Sequence, residues 1–357
     1  MSNMKNSRTL RVGVALLIPF MFFCYMCIFG SIPQFIPDST TTLPQSSEVA
    51  TTTTVGHAST VPLIESSISD PTTHIIASAT PIYTIPDKVW HSAKSDNITH
   101  NQREWIGSWT KKNPSLRQEL LTDQSAEAFV RAHFHKVRPD IVEVYLALQI
   151  PILRADLFRY LVVLAEGGIW GDLDVTCEKE VAEWVPTEYQ NQSIDLIVGL
   201  EFDAEWQGSG TTVASQFSNW VFVGRQSSRN LRFVVDVVIK KLRDIALANA
   251  VGIEGVTLEM ISDVVDVTGP KIMTVAIVES LGQFLGRTVD DRDFSGIKQP
   301  KLVGDVLIMP GVSFAALQNG NPTDQGDVLA THHYEGSWKK EAAEAKERQK
   351  QKEAQQQ

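Results

Sequence analysis

The feature that most constrains this chain is a segment in which an apolar helix runs into two glycines and then into two aspartates. Residues 153–175 read LRADLFRYLVVLAEGGIWGDLDV. Its first part is apolar on nearly every side, which predicts a buried helix over 153–166. Gly167-Gly168 is predicted to end that helix, with glycine in a left-handed cap. A helix without a polar face must be covered by other elements, so the segment predicts a packed domain.

This predicted buried helix nevertheless carries three charged residues in its first two turns, Arg154, Asp156 and Arg159. Buried charges destabilise a fold unless they are paired or bound to a ligand. Asp156 and Arg159 are three residues apart on a helix, so the two can satisfy each other. The alternative is that the charged side chains face a polar ligand, and the sequence leaves both interpretations open.

Two carboxylates follow the glycines. If residues 169–175 are extended, Asp172 and Asp174 point to the same side, roughly 7 Å apart, and Leu173 points into the core. Like charges at that separation repel unless a cation lies between them. Carboxylate oxygens suit Mg²⁺ or Mn²⁺ better than zinc, and such ions keep coordination positions for phosphate oxygens. A D-x-D tripeptide alone is frequent by chance, and its meaning here comes from the helix and glycines before it.

Helical and strand-like patterns alternate over about residues 82–338, which predicts one α/β domain with a mostly parallel sheet covered on both faces. The strands are predicted at 88–91, 195–200, 220–223 and 302–309. Helices are predicted at 101–109, 125–134, 140–148, 153–166, 233–250 and 273–285.

The chain before this domain has a different composition. Residues 12–30 contain no charged side chain, and only basic residues precede them. A run of that length spans a bilayer, and the positive-inside rule predicts a cytosolic tail at 1–11 with the remainder lumenal. A cleaved signal peptide, with its site near Gly30-Ser31, is the alternative. Residues 31–81 are rich in serine and threonine and predict a disordered stalk, O-glycosylated or a plain linker.

Charge and cysteine content exclude other classes of protein. The net charge of −10 argues against a protein that coats nucleic acid, which needs a basic face. Two of the three cysteines, Cys24 and Cys27, lie in the apolar run, so Cys177 has no partner for a disulfide within the domain. Asn97 and Asn191 begin glycosylation sequons, and residues 339–357 form a charged tail.

The central motif resembles the D-x-D signature of glycosyltransferase family 32. The likeness covers about residues 82–338. Segments late in the chain are similar to the fungal initiation-specific α-1,6-mannosyltransferase branch of the family. Trp170 departs from the pattern, since tyrosine is common there. The matching segments are RADLFRY at 154–160, GGIWGDLD at 167–174, IPDKVW at 85–90, Ser108-Trp109 with Asn113-Pro114, TGP at 268–270 and HHYEGSW at 332–338.

The resemblance implies a type II Golgi membrane protein whose lumenal domain has the GT-A fold. It would move mannose from GDP-mannose, with Mn²⁺ (or Mg²⁺), to the N-glycan of a glycoprotein with retention of configuration and an α-1,6 linkage. It also allows a hetero-complex with other Golgi mannosyltransferases. Outer-chain glycans and sphingolipid headgroups are alternative acceptors within the wider family.

The resemblance also assigns roles to individual residues. Asp172 and Asp174 match the motif that binds the metal and the donor diphosphate, and Arg154 and Asp156 match positions that face the nucleotide and donor sugar. The late pair His332 and His333 supplies a further donor or metal contact, and His333 is the predicted third metal ligand. Only one of two neighbouring residues in an extended segment can point inward.

Glu201 ends a predicted strand, where open α/β sheets place their ligands. We expect it to act in catalysis by hydrogen-bonding the acceptor or donor sugar, with loop capping as the alternative. Asn219 and Trp220 are further candidates for the acceptor site, although the core is an equally good place for Trp220.

Two other functions were weighed. Residues 172–176 also fit the nucleophile loop of haloacid-dehalogenase-type phosphatases. That loop needs a long apolar strand directly before it, and here only three residues separate Gly168 from Asp172. A membrane-tethered lectin or scaffold is the non-enzymatic alternative. The intact pair of aspartates argues against it, because loss of a carboxylate is the simplest route to an inactive protein.

Overall fold

The structure is a computed structural model that describes residues 87–211 and 213–336. The strands are β1 (Lys88–Ala93), β2 (Arg117–Thr122), β3 (Gly168–Gly171), β4 (Val175–Cys177), β5 (Leu196–Phe202), β6 (Gln216–Phe217), β7 (Val221–Gly224), β8 (Lys301–Val303), β9 (Val306–Met309) and β10 (Ala330–His332). The α-helices are α1 (His100–Lys112), α2 (Asp123–Phe134), α3 (Pro139–Ala147), α4 (Pro151–Glu166), α5 (Arg229–Ala248), α6 (Val264–Val267), α7 (Pro270–Leu285) and α8 (Gly311–Ala315).

The main sheet has the strand order β2-β1-β3-β7-β5-β9-β8, with β6 added to β5. Pairs β2-β1, β1-β3 and β5-β9 are parallel, whereas β3-β7, β7-β5 and β9-β8 are antiparallel. Along this path only β7 and β8 therefore run against the other strands. The α/β class is confirmed, and the sheet is mixed with most of its strands in one direction. β4 and β10 pair antiparallel as a separate two-stranded sheet.

Alternate residues of the strands enter two different apolar cores, because successive side chains of a strand point to opposite faces. On β5, Val198 packs into the core that includes α4, whereas its neighbour Ile197 packs with Trp109, Trp184 and Phe314. The same alternation recurs on β7 and β9. Both faces of the sheet are thus covered, as the sequence predicted.

Helix α4 is as buried as its composition predicts, with ten of its residues buried from Leu153 to Leu164. Proline at its first position has the helical φ and needs no backbone partner there. The predicted left-handed cap is wrong in detail. Gly167 has φ 69° but ψ −179°, outside the left-handed helical region. Glycine is required at this bend, because φ is positive and a Cβ on Gly167 would lie 2.7 Å from the backbone nitrogen of Gln226.

Two predictions about strands were wrong. Residues 302–309 are not one strand but the hairpin of β8 and β9, which turns at Gly304 and Asp305. Gly304 has φ 61°, a conformation that favours glycine and suits a two-residue hairpin turn. The edge strand β2 was not predicted, because its residues are exposed or only half-buried and so lack an apolar pattern.

Several predictions lie outside the described residues, namely the tail at 1–11, the membrane span at 12–30, the stalk at 31–81 and the charged tail at 339–357. Among the residues that are described, no helix has the length and apolarity to cross a membrane. Cys177 is a buried, free cysteine. Asn97 and Asn191 are both exposed.

Gly199 on β5 allows the close packing of α8 two residues before Glu201. A methyl group at this position would overlap the ring of Phe314, whereas nothing lies within 4 Å of one placed on Gly107 in α1. We expect Gly199→Ala to lower the free energy of unfolding by about 1–3 kcal/mol through overpacking. Gly107→Ala should raise it by about 0.5–1 kcal/mol, since alanine favours a helix. Urea denaturation of both variants measures the difference, and equal stability of the two would contradict this packing.

Candidate functional site

The two predicted metal-binding carboxylates lie in a turn between β3 and β4, and not on one continuous strand as the sequence predicted. The backbone N–H of Val175 donates to the carbonyl of Asp172 at 3.2 Å, which closes the turn. As a result Leu173 is half-buried and does not point into the core. The Asp172 N–H donates to the Trp220 carbonyl at 2.9 Å. The turn is thus fixed at the carboxyl end of β3, where open α/β sheets bind ligands.

Arg159 of α4 is the buried cation of the site. Its guanidinium lies 3.0 Å from Asp156 and 3.5 Å from Asp172. It also donates to the carbonyl of Asn219 at 3.1 Å. The pairing of Asp156 with Arg159 is therefore confirmed, and Arg159 also reaches the turn. That these charges face a ligand stays a prediction.

Burial and charge set the protonation of the two acidic partners of Arg159. Burial raises the pKa of Asp156, and the attraction of Arg159 and a 2.8 Å hydrogen bond from Thr268 act against that rise. Burial also raises the pKa of Asp172 to about 6, with the negative charge of Asp174 adding to the effect and Arg159 opposing it. The Trp170 indole N–H donates to Asp172 at 2.6 Å and favours its charged form.

Asp174 is held by the late part of the chain. His332 Nε2 lies 3.3 Å from one carboxylate oxygen, and the backbone N–H of Glu335 donates to the other at 3.0 Å. Burial would raise the pKa of Asp174, but these contacts outweigh it and hold that pKa below its ordinary value. The His332 ring stacks on Trp220 with centroids 4.4 Å apart. Trp220 is buried, as the core interpretation predicted, and it also supports the site.

The choice between the two histidines needs correcting. His333, the predicted third metal ligand, has its ring stacked on Trp105 at 4.5 Å, and its Nε2 is 2.6 Å from the hydroxyl of Thr176. His332 is the residue that faces Asp174. The reason is register, because β10 pairs with β4 such that His332 lies opposite Val175, beside the turn.

The Glu201 carboxylate lies at the end of β5. It accepts hydrogen bonds from Gln216 at 2.8 Å and from Gln318 at 3.4 Å. Burial raises the pKa of Glu201 to about 7, and these hydrogen bonds and His332 oppose the rise. Burial raises the pKa of Tyr334, and the negative charges of Glu201 and Asp174 raise it further. Tyr334 therefore lies within the electrostatic influence of both carboxylates, and its role was missed in the sequence.

Arg154 faces a different place from Asp156, although both lie in the first turns of α4. It pairs with Glu127, and its guanidinium lies 5.2 Å from the ring centroid of Tyr145. Arg154 and Tyr145 border a cavity of about 90 Å³, which Ser92 near the end of β1 and Phe158 of α4 also line. Phe158 packs edge-on against Trp170 at 6.3 Å, so one aromatic ring separates the cavity from the ring that binds Asp172.

The donor set of the turn fits a hard divalent cation. Asp172 and Asp174 supply carboxylate oxygens, and His332 has a buried Nδ1 without a hydrogen-bond partner. Across the described ranges, however, no three His, Cys, Asp or Glu side chains are already gathered as a set of metal ligands. The metal roles of Asp172 and Asp174 therefore stay predictions, and the histidine beside them is His332, not the predicted His333.

Sequence reasoning missed the residues that connect the charged groups. Thr268, Trp170 and Tyr334 contact or influence the carboxylates, yet no residue type among them indicates such a role on its own. All three stand in segments that marked the resemblance, at 268–270, 167–174 and 332–338. Those segments were the available signal, and the hydroxyl of Thr268 reaches Asp156 across 112 positions of sequence.

Comparison with known proteins identifies the region that holds the turn. Residues 99–191 match the family described as glycosyltransferase sugar-binding region containing DXD motif. The initiation-specific alpha-1,6-mannosyltransferase of Schizosaccharomyces pombe is 29% identical over 262 residues, which are 71% of this chain and 64% of that protein. The putative glycosyltransferase HOC1 of Saccharomyces cerevisiae is 29% identical over 239 residues, 64% of this chain and 58% of that protein.

The chain thus spans less than two thirds of the length of these two relatives. Among solved structures, the PaToxG glycosyltransferase is similar with a TM-score of 0.36 and 16% sequence identity. The match covers 57% of this chain and 70% of the PaToxG chain. The sequence matches confirm the resemblance to the D-x-D glycosyltransferases, and the chain carries a glycosyltransferase region of that type.

The raised pKa of Glu201 predicts a pH-dependent effect of Glu201→Gln on stability. Between pH 4.5 and about 7 the folded chain holds a proton on Glu201 that the unfolded chain has released. Wild-type stability therefore falls as pH rises through this window, and a glutamine escapes the loss. We expect the variant to match wild type at pH 4.5 and to be more stable by about 1–3 kcal/mol at pH 8.

Urea denaturation at pH 4.5, 6 and 8 measures this difference. Gln318→Ala, which leaves the carboxyl group in place, is the control for loss of one hydrogen bond. A stability difference between Glu201→Gln and wild type that does not change with pH would contradict the assigned protonation.

Proposed function

We propose that this chain is a metal-dependent, retaining mannosyltransferase that moves mannose from GDP-mannose to a mannose-containing N-glycan through an α-1,6 linkage. The observation that carries the proposal is the turn of Asp172 and Asp174 with Arg159 on one side and His332 on the other. The name of the Schizosaccharomyces pombe relative, an initiation-specific alpha-1,6-mannosyltransferase, supports the sugar and the linkage. The strand order, with this turn at the carboxyl end of β3, supports a GT-A type of architecture.

The leaving group of the reaction is a diphosphate, and the site is built to receive one. Asp172, Asp174 and His332 would hold the divalent ion, which as a Lewis acid would stabilise negative charge on the leaving diphosphate. Arg159 contributes a fixed positive charge, buried beside the same turn. Because it is already oriented by Asp156 and the Asn219 carbonyl, it needs no reorganisation when charge develops.

The donor has two polar ends, and α4 offers a separate place for each. The cavity beside Arg154 and Tyr145 combines an aromatic ring with a cation, a combination that suits a nucleotide base. Asp156, hydrogen-bonded by Thr268 and paired with Arg159, lies on the side of the turn and suits the hydroxyl groups of the donor sugar. A single helix therefore aligns the base and the sugar on either side of the diphosphate.

Glu201 is proposed to orient the acceptor. Its carboxylate lies at the end of β5, and its pKa of about 7 lets it accept or donate a hydrogen bond near neutral pH. The ring of Tyr334 lies 4.1 Å from that of His332 and 5.7 Å from that of Trp220, which supports a role beside the metal side of the site. Outer-chain glycans are the alternative acceptors of the same chemistry.

The cellular setting is part of the proposal. The apolar run at 12–30 with basic residues before it supports a single-pass type II membrane protein with the described domain on the lumenal side. The Golgi as the compartment is proposed from the sequence resemblance. The exposed sequons at Asn97 and Asn191 agree with that location. A hetero-complex with other Golgi mannosyltransferases remains a proposal from the sequence resemblance.

Removing either carboxylate of the turn should abolish transfer without unfolding the chain. We expect Asp172→Ala and Asp174→Ala each to lower kcat/KM by at least about 100-fold, since each removes charge that stabilises the leaving group. GDP release from GDP-mannose with Mn²⁺ and a mannoside acceptor gives the rate, and urea denaturation checks the fold.

Asp327→Ala is the matched control, because Asp327 is an exposed aspartate paired only with Lys179 on the surface. Its rate should equal that of wild type. Near-wild-type rates in the folded Asp172 or Asp174 variant, with Mn²⁺ present, would overturn the assignment.

A thermal-shift panel tests the donor. GDP-mannose with Mn²⁺ at about 100 times its Kd should add about 2.7 kcal/mol of stability, a rise in Tm of roughly 5–10 °C for a domain of this size. UDP-glucose and UDP-galactose should give smaller shifts. Asp174→Ala should lose the part of the shift that depends on Mn²⁺, and a larger shift with a UDP sugar would contradict GDP-mannose as the donor.

A further inference from the structure

Trp206 is a large aromatic side chain that is held in place yet 39% exposed. The guanidinium of Arg292 lies over its ring, 4.3 Å from the centroid. Arg292 is itself fixed by Asp290 through two hydrogen bonds of 2.9 and 2.6 Å. The indole is thus oriented from one side by an anchored cation, while a substantial part of it faces solvent.

The loop that carries Trp206 borders the candidate site at both ends. It leaves β5 after Phe202, the residue that follows Glu201. It is closed where Ala204 and Ser215 exchange two hydrogen bonds, of 3.1 and 3.0 Å. Further along, the Val213 carbonyl accepts a hydrogen bond from Lys271. Lys271 follows Thr268 by three residues, and Thr268 binds Asp156. The loop is therefore tied both to the acceptor carboxylate and to the donor-sugar side.

The chemistry around Trp206 suits a sugar better than an apolar partner. Its chain neighbours Glu205 and Gln207 are exposed and offer hydrogen-bonding groups. A hexopyranose presents a patch of C–H bonds on one face and hydroxyl groups at its edge. Such a ring can cover an exposed indole while its hydroxyl groups bind polar neighbours, whereas an apolar partner would leave these groups unpaired.

A second aromatic shows that exposure alone does not single out Trp206. Phe284 is 54% exposed and has the guanidinium of Arg229 at the same 4.3 Å from its ring. Arg229, however, pairs with Asp305, which directly precedes β9. Phe284 therefore lies at the amino edge of the parallel strands, opposite the edge that holds Glu201 and the turn. The two aromatics share their local geometry and differ in their distance from the site.

We propose that Trp206 is a stacking platform for the acceptor oligosaccharide, engaging a sugar unit other than the one that reacts. This deepens, and rests on, the proposed mannosyl transfer, since it assigns the acceptor side of the same site to the loop after β5. The ligand class is a mannose-containing oligosaccharide, recognised through C–H contacts on the indole and hydroxyl contacts to its polar neighbours.

The test compares Trp206→Ala, Trp206→Phe and Phe284→Ala in the full-length chain. With GDP-mannose and Mn²⁺ fixed, the acceptor is varied as a high-mannose oligosaccharide. We expect Trp206→Ala to raise the acceptor KM roughly tenfold with kcat nearly unchanged, as loss of one aromatic contact implies. Trp206→Phe should recover most of the affinity, and Phe284→Ala should match wild type.

Donor hydrolysis without acceptor separates this proposal from the one it rests on. The rate of GDP release in the absence of acceptor should be equal in wild type and Trp206→Ala. A drop in that rate, or an acceptor KM within twofold of wild type, would overturn the platform.

If the wild-type chain neither hydrolyses GDP-mannose nor transfers mannose, the proposed function fails, and calorimetric binding of the same oligosaccharide then decides the platform. Binding by wild type that Trp206→Ala loses and Phe284→Ala keeps would support the platform as a sugar site. Absence of binding by wild type, or equal binding by all variants, would overturn it.

Discussion

The contacts of Arg159 are the interaction on which the rest of the site depends. A buried guanidinium destabilises a fold unless its charge and N–H groups are met, and here two carboxylates and a backbone carbonyl meet them. Those partners come from three places, which are α4 itself, the turn after β3 and the segment before β7. Arg159 thereby fixes the helix against the turn. It also leaves one N–H, at Nε, buried without a partner.

The second constraint is the short sheet of β4 and β10. Through it the chain returns after more than 150 residues to lie beside the turn, with Thr331 opposite Thr176 and His332 opposite Val175. The backbone N–H groups of His333 and Glu335 then donate to Asp174, to its carbonyl and its carboxylate respectively. A local motif of two aspartates becomes a site only because a distant segment supplies its other side.

This division explains how much could be predicted from the sequence. The buried helix and its charged pair are encoded locally, by composition and spacing, and both are confirmed. The two carboxylates follow the helix as predicted, but in a turn and not in an extended segment. The alternation argument correctly held that only one of the two late histidines faces inward. It could not decide which, because the phase of a strand depends on its register with a partner that the local sequence does not specify.

Other misses have the same physical origin. The extended segment predicted across Asp172 and Asp174 became a turn, since the backbone hydrogen bonds of Asp172 go to Val175 and to Trp220 and not along a continuing strand. The edge strand β2 pairs only with β1, so its side chains need not be apolar on either face. Trp206 belongs to no sequence motif, and only the position of its loop relative to Glu201 connects it with the site.

The pKa values of the two carboxylates of the turn are shifted in opposite directions, although only one residue separates them. The contacts of His332 and a backbone N–H keep the pKa of Asp174 low, whereas burial and the neighbouring charge raise the pKa of Asp172 to about 6. At neutral pH both are ionised, but burial and the charge of Asp174 destabilise the ionised form of Asp172, and Arg159 only partly offsets this. Added positive charge therefore lowers the free energy of this site most at Asp172. This difference between the two carboxylates is created by packing around the motif rather than by the motif itself, since burial, Arg159 and His332 determine the two shifts in pKa.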